Sequence, residues 1–361
     1  MTERQATNSA SSVNGQRLSL PYRTPGEVAA HTPESPEWLV HGYLARGAIT
    51  EIDGKIKASG KTTLATHLIA AVLGGRPFLD QPTTSTNVVY LTEQTPQTFR
   101  QALSRAKLFE VGSRILILFR AEIDGWPWDA LIQAVAEDAQ RDGYGLLVVD
   151  TLGKLAGIVN ENDAGEGARA MTPLQTAAHH GLSVLVLRHD RKGGGDVGES
   201  GRGSSAISGD VDIIVQLRRS QGNAPSSRRM LETLSRYDET PERLVVELTE
   251  GEYVVLGEHE AVKLAQDVEM LSALTKEEYE QKVSWTIEEL IERTGRSRSG
   301  IQRAAEVLIG RHEWLSFTDD GGTPRRSHPL QYGLVPEIVS APTAHVVGQN
   351  VSPGDHTKGT P

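Results

Sequence analysis

The chain contains no cysteine. That absence excludes disulfides, zinc fingers built on thiolate ligands, and thiol catalysis. Long apolar runs are missing too: none approaches the ~18 residues that a membrane-spanning helix needs. The N-terminus lacks the apolar centre of a signal peptide. Residues 1–20 are polar and rich in Ser, Asn, Gln and Thr, a composition that predicts a disordered start. Together these absences predict a cytoplasmic protein with no membrane partner. A basic excess is also lacking, since 37 Lys and Arg stand against 47 Asp and Glu, a formal net charge of −10. A chain so balanced does not coat itself with nucleic acid, and any DNA contact must come from a confined basic surface.

What is present is a globular composition. The 361 residues are 38% hydrophobic and 23% charged, which is ample for a sizeable core and for two or three domains. From Ile49 to Leu217, short apolar runs alternate with helical patterns. The runs are Ile49–Ile52, Asn87–Leu91, Arg114–Phe119, Leu146–Asp150, Leu182–Leu187 and Val211–Leu217. Helical spacing fills stretches between them, as in Lys61–Leu73 and Trp128–Arg141. Strands alternating with helices predict an α/β fold with a doubly wound, mostly parallel sheet. Arg229–Arg236, Arg243–Thr249 and Glu252–Leu256 read as a meander at one sheet edge. The expected division is a main domain over 21–257, a helical unit over 258–335, and a disordered tail over 336–361, rich in Pro, Gly, Ser and Thr.

Chemistry first shows itself at Gly54-Lys-Ile-Lys-Ala-Ser-Gly60-Lys61-Thr62-Thr63, which follows a strand and opens a helix. A phosphate-binding loop requires that context. Its backbone N–H groups and the positive helix end wrap phosphate oxygens. Lys61 neutralises the β/γ charge, and Thr62 offers its hydroxyl to Mg²⁺. The nucleotide-binding set is therefore Gly54, Lys57, Ser59, Gly60, Lys61, Thr62 and Thr63, and the implied cofactors are ATP and Mg²⁺. The spacing departs from the strict pattern, with five residues between the glycines and Lys55 where a glycine is expected.

Three apolar strands end in polar groups that suit such a loop. Asp150 closes Leu146-Leu-Val-Val-Asp150 and can hold the metal; taken alone it also reads as an ordinary loop cap. Glu93 closes Asn87-Val-Val-Tyr-Leu-Thr-Glu93 and can polarise a water. His189 follows Leu182-Ser-Val-Leu-Val-Leu-Arg and can sense the γ-phosphate, though a surface histidine has the same signature. In open α/β sheets ligands bind at the carboxyl ends of the strands, where all three fall.

These residues resemble RecA-like P-loop ATPases, and more narrowly the branch containing the plasmid hexameric helicase RepA and ATPases of phages and mobile elements. The likeness rests on Trp38-Leu-Val-His-Gly-Tyr-Leu-Ala-Arg-Gly-Ala-Ile-Thr, the loop with Lys57 and Lys61, Tyr90-Leu-Thr-Glu93, and His189-Asp-Arg-Lys192 with its glycine-rich continuation. It spans about residues 36 to 257. The resemblance implies that Glu93 activates the water and that the chain forms a homo-oligomeric ring in which a neighbour completes each ATP site. It also implies that Arg236, before Tyr-Asp-Glu-Thr-Pro, is the arginine finger; an arginine pairing with Asp238 or Glu239 is the alternative. DnaB-type helicases carry a lysine two residues before the finger, where this chain has Leu234. In the same family the loops after these strands face a channel and grip single-stranded DNA. Arg191, Lys192 and Arg202 suit that task, while Asp190, Asp196 and Glu199 offset them; a lid over the nucleotide fits equally well.

Beyond residue 285 the pattern resembles a winged helix. Thr286 and Glu289 form a capping box, Thr294-Gly295-Arg296 breaks the first helix, and Ser297 caps a second. Trp314-Leu-Ser-Phe, Asp-Asp-Gly-Gly and Gln331-Tyr-Gly-Leu read as strand, turn and strand of a wing. Arg296, Arg298, Arg303, Arg325 and Arg326 form a modest basic surface for a duplex backbone; protein docking is the other use of such a module. Three functions follow. The chain is a Mg-dependent ATPase coupled to DNA translocation or unwinding, an ATP-dependent oligomeric switch controlling duplex binding, or a recombinase-like loader without unwinding.

Overall fold

A computed structural model describes residues 12–13, 16–17, 21–55, 59–160, 162–189, 205–220, 225–277, 284–311, 313–319 and 321–327. The chain starts with a ribbon, β1 (Ser12–Val13) and β2 (Gln16–Arg17), inside the segment where the sequence predicts no structure. The rest of residues 1–20, and the tail 336–361, lie outside the described residues. Helix α1 (Pro25–His31) and the small ribbon β3 (Trp38–Val40) and β4 (Leu44–Ala45) lead into the main sheet.

That sheet has nine strands. Six are parallel: β5 (Ile49–Gly54), β6 (Asn87–Thr92), β7 (Ile115–Phe119), β8 (Tyr144–Asp150), β9 (Ser183–Leu187) and β10 (Ile213–Arg219). Antiparallel strands β11 (Arg228–Ser235), β12 (Arg243–Thr249) and β13 (Glu252–Glu258) extend one edge. The order is β13-β12-β11-β10-β5-β9-β8-β6-β7. β8 and β9 are buried along nearly their whole length, which is why their sequences read as near-continuous apolar runs rather than alternation; β5 is equally buried but carries Thr50, Glu51 and Asp53. The exposed edge strand β13 alternates instead.

Helices cover both faces. α2 (Lys61–Gly74) and α3 (Pro96–Arg105) pack on one core, which includes Leu64, Leu68, Val88, Tyr90, Phe99, Val148 and Leu185. α4 (Trp128–Asp142), the single turn α5 (Leu152–Leu155), α6 (Ala164–His179) and the short α7 (Ser205–Gly209) lie toward the other, built on Ile132, Val149, Leu174 and Val186. α2 stops at Gly75, whose φ of +60 places it in the left-handed region that ends helices.

The C-terminal helices α8 (His259–Glu277), α9 (Ile287–Thr294) and α10 (Arg298–Gly310) enclose a third core of Val268, Leu271, Leu290, Ile301 and Leu308. The capping box at Thr286 and the cap at Ser297 form as the sequence predicts. Stacked rings of Trp285 and Trp314 close the core at 6.0 Å. The hairpin differs from expectation. β14 (Leu315–Thr318) pairs with β15 (Pro324–Ser327), whereas Gln331–Leu334 lies outside the described residues. The turn decides this. Asp319 Oδ1 accepts from the N–H groups of Gly321 and Thr323, and Gly322 takes a φ of +81, so the chain reverses before the aromatic run is reached. Among the described residues, no helix is long and apolar enough to cross a membrane.

Among the described residues one ion pair is wholly buried: Arg188, just past β9, meets Glu51 in β5 at 2.9 Å, and both are at most 4% exposed. Removing one partner leaves a charge in a medium that cannot solvate it. Glu51→Leu is expected to cost about 3–5 kcal/mol, whereas Glu51→Leu with Arg188→Met recovers most of the loss. Urea denaturation of both variants checks this; equal losses would mean the pair itself is not the source.

Candidate functional site

The parallel strands deliver their carboxyl ends to one edge of the sheet. Gly54, Thr92, Asp150 and Leu187 end neighbouring strands, and α2 begins directly above. Gly54 has no room for a side chain, because a Cβ would lie 2.7 Å from both Leu217 O and Ser59 Oγ. Gly60 takes a φ of +91 and opens α2 without any side-chain cap. The first N–H groups of α2 therefore lack a side-chain acceptor, an arrangement that suits an anion. Lys57 lies outside the described residues.

Lys61 is buried at this helix start. Its Nζ donates to Gly54 O at 2.7 Å and lies 3.0 Å from His189 Nδ1, so the ring presents a lone pair at that nitrogen when it accepts. Thr62 Oγ1 donates to Asp150 Oδ2 at 2.9 Å. Tyr90 OH donates to the same oxygen at 2.8 Å. Glu93 follows β6, and its Oε1 accepts from Thr151 Oγ1 at 3.1 Å while its N–H donates to Asp150 O. The peptide between Asp150 and Thr151 is cis. Lys61, Thr62, Asp150, Glu93 and His189, read separately from the sequence, thus converge. Ser59 and Thr63 lie in the loop and first turn beside them.

Other residues at the site escaped the sequence reading. Tyr90 reads as an ordinary core aromatic, yet its hydroxyl fixes Asp150. Gln94 Nε2 donates to Thr62 Oγ1 at 3.2 Å. Its place directly after Glu93 was the available signal. Arg229 Nε donates to Ser59 O at 2.6 Å from 170 positions away, which no local pattern reveals. A cavity of about 590 Å³ opens beside His189, lined by Thr151, Lys154, Asn160, Asn162 and Arg188.

Thr62 and Asp150 offer two hard oxygen donors on one side of the loop. Among the described residues no cluster of three or more acidic or histidine ligands exists. This fits Mg²⁺, which takes few protein ligands and completes its shell with phosphate and water. The donor set and the uncapped helix start therefore fit a magnesium-bound nucleotide.

The other predicted residues are placed elsewhere. Arg236 lies past the end of β11 that pairs with Ile213, the sheet end opposite the phosphate loop. Its Nη1 meets Asp212 at 3.2 Å, not Asp238 or Glu239, and its Nη2 donates to Gly209 O. Arg191, Lys192 and Arg202 lie outside the described residues. The C-terminal arginines are engaged within their own unit: Arg296 with Asp267, Arg298 with Glu288, Arg303 with Glu260, and Arg325 with Asp319. Arg326 donates to Arg325 O, and burial pulls its guanidinium below its ordinary range. The basic surface expected from composition is thus largely neutralised by carboxylates.

The AAA domain family model matches residues 17–195, a span that contains every converging residue named above. That stretch, just under half of the chain, is similar to AAA domains. Among solved structures, the RadB recombinase matches at 18% identity over 58% of this chain and 91% of that one, with a TM-score of 0.44. No curated protein matches.

At this strand end burial holds the Asp150 carboxyl above its ordinary range, and the neighbouring Glu93 charge adds to the shift. The hydrogen bonds from Tyr90 and Thr62, and the charge of Lys61, oppose it. A raised value means that the folded chain holds the proton more tightly than the unfolded one. The associated stability is full below the unfolded value of about 3.9 and is lost as pH rises through the folded value. Asp150→Asn is therefore expected to make the ligand-free chain more stable than wild type at neutral pH. Thermal melts against pH check this: the difference should shrink toward pH ~4, and a variant less stable at neutral pH would contradict it.

Proposed function

We propose that this chain is a RecA-like P-loop ATPase that hydrolyses ATP with Mg²⁺ and couples turnover to translocation along DNA or to its unwinding, as a ring of identical subunits. The observation that carries the catalytic part is the convergence of Lys61, Thr62, Asp150, Glu93 and His189 at one edge of the parallel sheet. Lys61 neutralises charge on the β- and γ-phosphates. Thr62 and Asp150 would hold Mg²⁺, which when bound supplies charge neutralisation at the transferring phosphoryl group. Glu93, steered by Thr151, takes a proton from the attacking water. His189 reports the γ-phosphate through its contact with Lys61.

DNA enters this reading through the segment after His189, which carries Arg191, Lys192 and Arg202. The polar cavity with Lys154, Asn160 and Asn162 opens beside His189, the residue before that segment in the sequence, and supports the same reading. In a ring, Arg236 serves the neighbour's nucleotide, since it faces away from its own. It remains 64% exposed at the side chain despite the pairing with Asp212. Residues 258–335 make up a winged-helix unit in this reading. The carboxylates paired with its arginines favour protein contacts there over a duplex backbone. That observation places the switch controlling duplex DNA second, along with a loader that does not unwind.

Steady-state hydrolysis with and without single-stranded DNA tests the proposal. Single strands are expected to stimulate the wild type. Lys61→Ala should lower turnover by roughly 10²–10³-fold or more, and Glu93→Gln should bind ATP without turning it over. Hydrolysis indifferent to single strands would overturn the motor reading in favour of the switch, and wild-type turnover in both variants would overturn the site.

A further inference from the structure

The reacting end of a nucleotide must lie near Thr62, Asp150, Glu93 and His189, all on the β9–β8–β6 side of the phosphate loop. The opposite end of the triphosphate then runs toward β10 and β11. On that side, Arg219 stands directly across from Arg229 in the antiparallel pair. Like charges in directly opposed positions destabilise a ribbon. Leu217 pairs with Gly54, so the two arginines extend past the base of the loop. Leu217 and Leu231, two positions back on each strand, belong to the core beneath α2, so alternation puts both arginines on the α2 face.

The Arg229 side chain reaches the loop itself. Besides Ser59 O, it donates from Nη1 to Ser226 O at 2.5 Å and to Arg228 O at 2.8 Å. All three partners are neutral carbonyls. A Cβ built on Gly60 would stand 3.8 Å from Nη2, so the outer edge of the guanidinium faces the start of α2. Among the described residues no carboxylate pairs with Arg229. Neighbouring arginines in the same sheet are treated differently: Arg228 pairs with Glu247, and Arg218 and Arg243 share Glu232. Burial, then the charge of Arg219, pulls the Arg229 guanidinium below its ordinary range. A half-buried cation on neutral partners, opposed by a second cation, is stabilised once an anion arrives.

We propose that Arg229, with Arg219 across from it, binds the non-transferred end of the nucleotide's phosphate chain, the α-phosphate. This rests on the ATPase reading and adds to it a second cationic contact, on the side of the loop away from Lys61. The site then grips the triphosphate from both sides: Lys61 where the bond breaks, Arg229 where it does not. Arg229 contributes equally to ground and transition states, so its loss raises KM and leaves kcat nearly unchanged.

The test uses the full chain, with MgATP and inorganic tripolyphosphate competing against a fluorescent ATP analogue. Arg229→Gln is expected to weaken both probes by roughly 10- to 100-fold, with kcat within about threefold of wild type and partial rescue in Arg229→Lys. Arg219→Gln, at an exposed position, is expected to weaken both by several-fold and stands in if Arg229→Gln does not fold. Loss for MgATP but not tripolyphosphate would mean that the arginines read the ribose or base, and overturns the proposal. Unchanged affinity for both probes overturns it as well, leaving Arg229 a brace for the loop. A wild-type chain that binds neither probe would instead overturn the ATPase reading itself.

Discussion

At the carboxyl end of β8 a carboxylate is withdrawn from water and held by two hydroxyls. One comes from Tyr90 in β6, the other from Thr62 in the first turn of α2. A buried carboxylate is costly unless its lone pairs are engaged, and a nearby cation lowers the cost further. Much of the site serves that requirement. β6 must lie beside β8 for Tyr90 to reach it, and β5 must end close enough for the loop to set α2 over the sheet. Because these strands run parallel, their carboxyl ends meet at one edge of the sheet. The site is thus a property of strand order as much as of any motif.

Charge is distributed with the same economy. The chain is acidic overall, yet cations collect at the phosphate loop, with Lys61 on one side and Arg229 on the other. Many arginines elsewhere among the described residues have acidic partners. Those of the C-terminal helices meet Asp267, Glu288, Glu260 and Asp319, and those of the meander meet Glu232, Glu247 and Asp212. Such pairs at the surface contribute little stability each. Their effect is to quiet the local potential, so that an arginine bonded only to carbonyls stands out as a place for an anion. Composition cannot separate the two kinds, because both count as one positive charge.

Much of the fold was legible because it depends on local patterns. Unbroken apolar runs mark strands buried on both faces, and polar residues ending those runs mark the ligand edge. The residues Lys61, Thr62, Glu93, Asp150 and His189 could be picked out for this reason. The turn at Asp319 was read correctly, but the returning strand was sought at Gln331, whereas the turn, closed by the Asp319 side chain, brings the chain back at Pro324. Tyr90 was passed over because an aromatic in a buried strand carries no distinguishing local mark, whereas the place of Gln94 directly after Glu93 was a signal left unused.

The sequence by itself determined the order of strands and helices, the position of the phosphate loop, and the polar residue at each strand tip. These follow from hydrophobic periodicity and from glycine, whose conformational freedom is an intrinsic property of the residue. Only the tertiary structure decided which arginines are neutralised and which face the loop. That outcome depends on strand register: Arg219 opposite Arg229, and Leu217 beside Gly54. Register is set by the packing of whole faces against their helices, and it joins residues that are far apart along the chain.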